Sequence, residues 1–195
     1  MSSQVLIAVG ANLELHGAPP AEVARQAIAA LPAAGFALLA ISRIFDTPAW
    51  PPGSGPDFAN AALLARWSGS APEALAALHG VEQDFERRRE IRWGARTLDL
   101  DLLAMEDRIH PDPGTLRAWI DLPPEHQALQ APDRLILPHP RLQDRGFVLA
   151  PLNDVAPDWC HPLTGLSVAR MLAALPPAAL EGVRPRRNTP PDAGA

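Results

Sequence analysis

The chain's residue pattern predicts an α+β fold, a ferredoxin-like split βαβ sandwich with a mainly antiparallel sheet, helices on its faces and a C-terminal extension. Three observations support this. Strand-length apolar runs and helical periodicity alternate as β-α-β-β-α-β over residues 4–104. The runs are punctuated by glycine and proline, most densely in "TPAWPPGSGPD" at 47–57. A complete capping box, "SAPE" at 70–73, marks the start of the second helix.

Taken in order, "QVLIAV" (4–9) reads as a buried strand ending at Gly10. A helix is expected over roughly 20–31, with Val23, Ala27, Ile28 and Leu31 on one face. "FALLAISRIF" (36–45) reads as one long strand and "FANAALLARW" (58–67) as the next. Ser70 caps the following helix, with Glu73 three residues on and a proline in the first turn, and the helix runs to Phe85 or Arg88. "TLDLDLLAM" (97–105) is then expected as a central strand. A proline-rich insertion follows at about 107–134, in which "TLRAWI" reads equally as a short helix or a strand. "RLILPHPRLQDRGFVLAPL" supplies a short strand, a turn and a further apolar segment, and "LSVARMLAAL" a last helix. The expected organisation is one domain over 1–176 and a disordered tail over 177–195.

Composition narrows the function classes. A chain of 195 residues with 47% hydrophobic and 20% charged residues suits a soluble globular domain. A formal charge of −5 argues against nucleic acid or a membrane surface as partner. All 17 basic residues are arginine, which excludes a Walker A loop and a lysine nucleophile or base. Cys160 is the only cysteine, and the six histidines show no HxH or HxxxH pairing, so zinc is not expected. The N-terminal apolar run is too short for a signal peptide or span, and a cytoplasmic monomer is expected.

The chemistry concentrates in "RWGARTLDLDLL", residues 92–103. Side chains on a strand alternate, so Leu98, Leu100 and Leu102 point one way and Asp99 and Asp101 the other, roughly 6–7 Å apart at Cα. Two such carboxylates either form a solvated face or recruit a hard cation, magnesium being the natural one because it takes phosphate oxygens as further ligands. Arg87, Arg88, Arg89, Arg92 and Arg96 precede them, either a solvated charge run or a set of bidentate phosphate donors. Glu82 lies on nearly the azimuth of Leu75, Leu78 and Phe85, at the rim of the core or facing a ligand, with His79 on the same side.

Four separated motifs, "GANL", "TPAW…PDFANAA", "VEQDFERRREIRWGARTLDLDLL" and "LPHPRLQDRGFVLAPL", together resemble the 6-hydroxymethyl-7,8-dihydropterin pyrophosphokinase family over residues 5–175. The resemblance implies pyrophosphoryl transfer from ATP to the pterin hydroxymethyl group in folate biosynthesis, with release of AMP. It implies that Asp99 and Asp101 hold two magnesium ions on the ATP phosphates, and that with Arg87 and Arg96 they form the catalytic set. ATP contacts are implied for Glu82, Arg89, Trp93, Arg96, His139 and Arg145, with Arg87, Arg89 and Trp93 on a mobile loop. For the pterin, the resemblance implies Asn60 at the heterocycle edge, Phe58 and Phe147 on its faces, and Thr47, Pro48 and Trp50 on a second mobile loop. The chain departs from the family's usual residues with "GAN" for GSN, with Phe58 for a frequent tyrosine and with His79 for glutamine. Two other readings remain: another magnesium-dependent nucleotidyl- or phosphoryltransferase using DxD, and a non-catalytic ferredoxin-like binding module.

Overall fold

The computed structural model describes residues 2–49, 55–86, 97–123, 126, 130 and 132–187. Strand β1 (Ser3–Ala11) is followed by α1 (Pro20–Ala30), β2 (Ala37–Ile41), β3 (Phe45–Thr47), β4 (Phe58–Trp67), α2 (Ala71–Asp84) and β5 (Asp99–Met105). Then come α3 (Pro113–Ile120), α4 (Gly146–Val155), α5 (Val168–Ala174) and a two-residue strand β6 (Arg184–Pro185). The sheet order is β5-β1-β4-β3-β6, with β2 also on β4, and every pairing is antiparallel. Two βαβ units interlock: β4 lies between β1 and β2, and β1 lies between β4 and β5. That is the split arrangement the sequence predicts.

Strand periodicity builds two cores. Val5, Ile7 and Val9 of β1, Ala61, Leu63 and Ala65 of β4, and Leu98, Leu100 and Leu102 meet the apolar stripes of α1 and α2. The opposite face, with Leu6, Ala62 and Leu103, packs on Leu149 and Leu152 of α4 and on Val168 and Met171 of α5. Helix α2 starts as expected: Ser70 Oγ accepts from the Glu73 N–H, and the Glu73 carboxylate accepts from the Ser70 N–H at 2.7 Å. "TLRAWI" resolves as part of helix α3, whose cap is Asp112, accepting from the Thr115 N–H at 2.9 Å.

Four expectations change. Strand 36–45 is broken in two because Ser42 Oγ takes the place of backbone: it accepts from the Ala62 N–H at 2.8 Å and donates to the Arg43 carbonyl at 2.7 Å. Strand β5 lies at the end of the sheet, since β1 and β4 take the centre. The short strand near 134–137 reduces to a single bridge between His110 and Leu137. The expected tail is structured as far as Arg187: residues 177–180 form a 3-10 turn and β6 pairs with β3, a non-local contact that composition does not reveal.

The layering gives a graded expectation. Leu63 is fully buried in the middle of β4, so Leu63→Ala is expected to lower the unfolding free energy by about 2–5 kcal/mol through lost burial and a cavity. Leu39, at 38% exposure on β2, is expected to tolerate alanine within about 0.5 kcal/mol. Urea denaturation of the two variants checks the contrast.

Candidate active site

At one end of the sheet the register aligns three strands. Gly10 of β1 is paired with Asn60 of β4 on one side and with Asp99 of β5 on the other. Their side chains share the face that α4 and α5 cover further along. The row is tight: a Cβ on Gly10 would lie 2.8 Å from Asn60 Oδ1 and within 3.9 Å of Phe58 Cδ1 and Asp99 Cβ. A side chain here would have to displace the Asn60 amide, which is buried and bonded to Thr47. Asn60 is buried and donates from Nδ2 to Thr47 Oγ1 at 2.6 Å, which holds the end of β3 against β4.

Asp101 is opposite Ala8, one step along the same face, so both carboxylates emerge beside the small residues of β1. Facing them are His139 and Arg145, from the segment leading into α4. His139 is anchored by its backbone, which donates to the Leu103 carbonyl at 2.7 Å. Its Nδ1 accepts from the Arg141 N–H at 3.1 Å, which leaves Nε2 to carry the proton. Burial first, then the Arg145 guanidinium, push the imidazole down to about 3, against the weaker opposing pull of Asp99. His139 is thus a neutral donor at physiological pH. Arg145 is held below the usual arginine value by burial, while Asp101, Asp144 and Asp99 favour its charge. Its guanidinium also sits 5.7 Å from the Phe147 ring centroid, and Phe147 is half-buried against the α4–α5 core.

Glu82 is 1% exposed, and its Oε1 accepts from the Leu100 N–H at 2.7 Å. Leu100 lies between Asp99 and Asp101 on the outermost strand. The carboxylate of α2 therefore supplies the acceptor that a neighbouring strand would have given, and it fixes the backbone from which both aspartates project. The sequence placed Glu82 on the inward azimuth but did not reveal this role.

Two residues outside the sequence-based set join the region. Gly10 has the role just described. Asn12 is buried and donates to the Pro56 carbonyl at 3.1 Å, tying the loop before β4 to the end of β1. Both lie in the motif "GANL", whose short polar residue after a strand was the available signal. Arg87, Arg89, Trp93, Arg96 and Trp50 lie outside the described residues. Pro48 is exposed at the end of β3, and Phe58 is half-buried beside Gly10.

The donor set can be tested for a divalent cation. Among the described residues no group of three or more His, Cys, Asp or Glu could hold a metal, so the protein offers the Asp99–Asp101 pair. Such a pair fits a magnesium ion that takes its remaining ligands from phosphate and water. Thr97 Oγ1, Gln143 Oε1 and Asp144 Oδ1, on the segments carrying Asp99 and Arg145, are buried without a hydrogen-bond partner among the described residues.

Comparison with known proteins places the chain in a family. The family described as 7,8-dihydro-6-hydroxymethylpterin-pyrophosphokinase matches residues 6–157. A Pseudomonas aeruginosa 2-amino-4-hydroxy-6-hydroxymethyldihydropteridine pyrophosphokinase is 33% identical over 184 residues, which is 93% of this chain and 97% of that protein. A Synechocystis protein of the same name is 38% identical over 144 residues; the match spans 74% of this chain and 60% of the relative. Among solved structures, Plasmodium falciparum HPPK-DHPS with pteroate superimposes with a TM-score of 0.63 at 12% identity, covering 89% of this chain and 42% of that one. At that identity the likeness speaks for the fold.

Two outcomes are expected from the site's geometry. Glu82→Leu leaves the Leu100 N–H buried and unbonded, for about 1–3 kcal/mol of lost stability, whereas Glu82→Gln keeps an acceptor and loses less. Urea titration and exchange of the Leu100 amide compare them. For His139 the folded value of about 3 lies below the ordinary 6.5. The unfolded chain therefore takes up a proton that the folded chain refuses, and stability falls as pH drops from 6.5 towards 3. Replacing His139 with Asn is expected to flatten that part of a denaturation-midpoint profile.

Proposed function

The chain belongs to the 7,8-dihydro-6-hydroxymethylpterin-pyrophosphokinase family, and from that premise we propose that it transfers the pyrophosphoryl group of ATP to 6-hydroxymethyl-7,8-dihydropterin. The products are AMP and the pterin diphosphate used in folate biosynthesis. The observation that carries the reading is the meeting of Asp99 and Asp101 with His139 and Arg145 at the end of one row of the sheet.

The hydroxymethyl oxygen attacks the β-phosphorus of ATP and loses its proton; the bond from that phosphorus to the bridging oxygen of the α-phosphate breaks, and AMP leaves. Asp99 and Asp101 would hold two magnesium ions, which neutralise phosphate charge when bound. His139, neutral with its proton on Nε2, donates to a phosphate oxygen without adding charge. Arg145 provides a permanent cation whose position is set by burial and by its acidic neighbours. On the other half of the row, Asn60 offers Oδ1 and its second amide hydrogen to the heterocycle edge. Phe58 and Phe147 supply the apolar faces, with Thr47 and Pro48 beside them. The roles of Arg87, Arg89, Trp93, Arg96 and Trp50, and of Glu82 as a nucleotide contact, rest on the sequence resemblance. Action as a cytoplasmic monomer belongs to the same reading; among the described residues no helix is long and apolar enough to cross a membrane.

Incubation with ATP, magnesium and hydroxymethyl-dihydropterin is expected to yield AMP, resolved by chromatography. ADP would indicate a simple kinase, and inorganic pyrophosphate a nucleotidyltransferase. Asp99→Asn and Asp101→Asn are each expected to lower turnover at least about a hundredfold. Their metal-free melting temperatures should change little, since relief of carboxylate repulsion is offset by the lost attraction to Arg145. Near-normal turnover in either variant overturns the metal assignment.

A further inference from the structure

The segment after α5 is a strap along β3 and the start of α4, and its contacts are specific. Its 3-10 turn lies against the first residue of α4: a Cβ on Gly146 would come to 2.0 Å from the Ala179 carbonyl oxygen. Three residues further on, Gly182 adopts φ +74° and packs so closely on Pro48 that a Cβ there would lie 2.5 Å from Pro48 Cγ. The chain then pairs with β3, placing Phe45 opposite Pro185 and Asp46 opposite Arg184, and the Arg186 N–H donates to the Ile44 carbonyl at 2.8 Å. Arg186 Nη1 also donates to Asp46 Oδ1 at 2.9 Å.

These contacts fall on particular places. Gly146 separates Arg145 from Phe147. Pro48 follows Thr47, the acceptor for buried Asn60. Strand β3 has three residues and pairs with β4 on its inner side, so β6 gives it an outer neighbour. None of the strap contacts given above reaches β5, where Asp99 and Asp101 stand.

We infer that residues 177–187 are a positioning element for the pterin half of the site, setting the β3–Pro48 segment and the start of α4 at the distance the heterocycle requires. Gly182 is the residue that permits the close approach. The inference rests on the proposed pterin reading. Small displacements of groups that position a substrate cost disproportionately, because the reacting geometry tolerates little error. The strap thus acts on pterin through Thr47, Pro48 and Phe147, while the nucleotide half is left as it was.

The test uses the full-length protein with magnesium and a non-hydrolysable ATP analogue, titrated with hydroxymethyl-dihydropterin by calorimetry, with the analogue titrated separately. Gly182→Ala adds a methyl group at a positive φ and against a rigid proline ring, and it is expected to weaken pterin binding about tenfold or more. The analogue's Kd should remain within about twofold. Kinetics should show the same split, with KM for pterin raised and KM for ATP unchanged. A merely structural role lowers the active fraction and changes neither affinity of the folded molecules. Asp46→Asn, which leaves the glycine contact intact, is expected to give a smaller shift in the same direction. Wild-type affinity for pterin in Gly182→Ala, or equal weakening for both ligands, overturns the inference while leaving the pyrophosphokinase reading standing. Failure of the wild-type protein to bind pterin or to form AMP overturns both.

Discussion

Strand β1 holds the polar end of the sheet together. Its hydrogen bonding to β4 on one side and β5 on the other fixes the register that sets Asn60, Gly10 and Asp99 in one row. Because side chains alternate, a slip of one residue on either side would exchange this polar row for the apolar set beneath α1 and α2. The buried leucines, valines and isoleucines on the far face make such a slip prohibitive. The chemistry on one face is therefore held in place by the hydrophobic core on the other.

The charges follow from that placement. Two carboxylates beside each other would repel strongly in isolation. Here they face a buried guanidinium and an imidazole that desolvation keeps neutral. Were His139 protonated, it would add a cation beside Arg145 and Arg141, which burial and repulsion together oppose. The result is a set of fixed groups of opposite charge held beside one another, the kind of preorganised arrangement on which the proposed phosphate chemistry would draw. Glu82 supports this from behind by holding the Leu100 N–H.

Much of this was legible in the sequence because it follows from period and spacing. Alternation in "TLDLDLL" separates leucines from aspartates whichever sheet is formed, and the capping box at 70–73 is local chemistry complete in four residues. What the sequence did not show depends on distant partners. The break at Ser42 needs the Ala62 N–H; the edge position of β5 depends on the sheet order; the strap requires β3 to pair with residues 138 positions or more further along. The apolar run "FVLAPL" was ambiguous for another reason: Pro151 argues locally against helix, yet it sits buried inside α4. Gly10 could be read as the end of a strand, but the cost of a side chain there appears only when Asn60 and Asp99 lie on either side.

The sheet's margins have a consequence for behaviour in concentrated solution. An exposed strand edge is a template on which other chains can assemble. On one side the Leu100 amide of β5 is already taken by Glu82. On the other, where β2 also lies against β4, the edge of β3 is covered by a two-residue strand containing Pro185, which has no amide hydrogen to offer. These two features deny newcomers a clean ladder at those positions. Loss of the strap would thus expose β3 as a fresh edge, and a truncated chain would be more prone to self-association than the intact one.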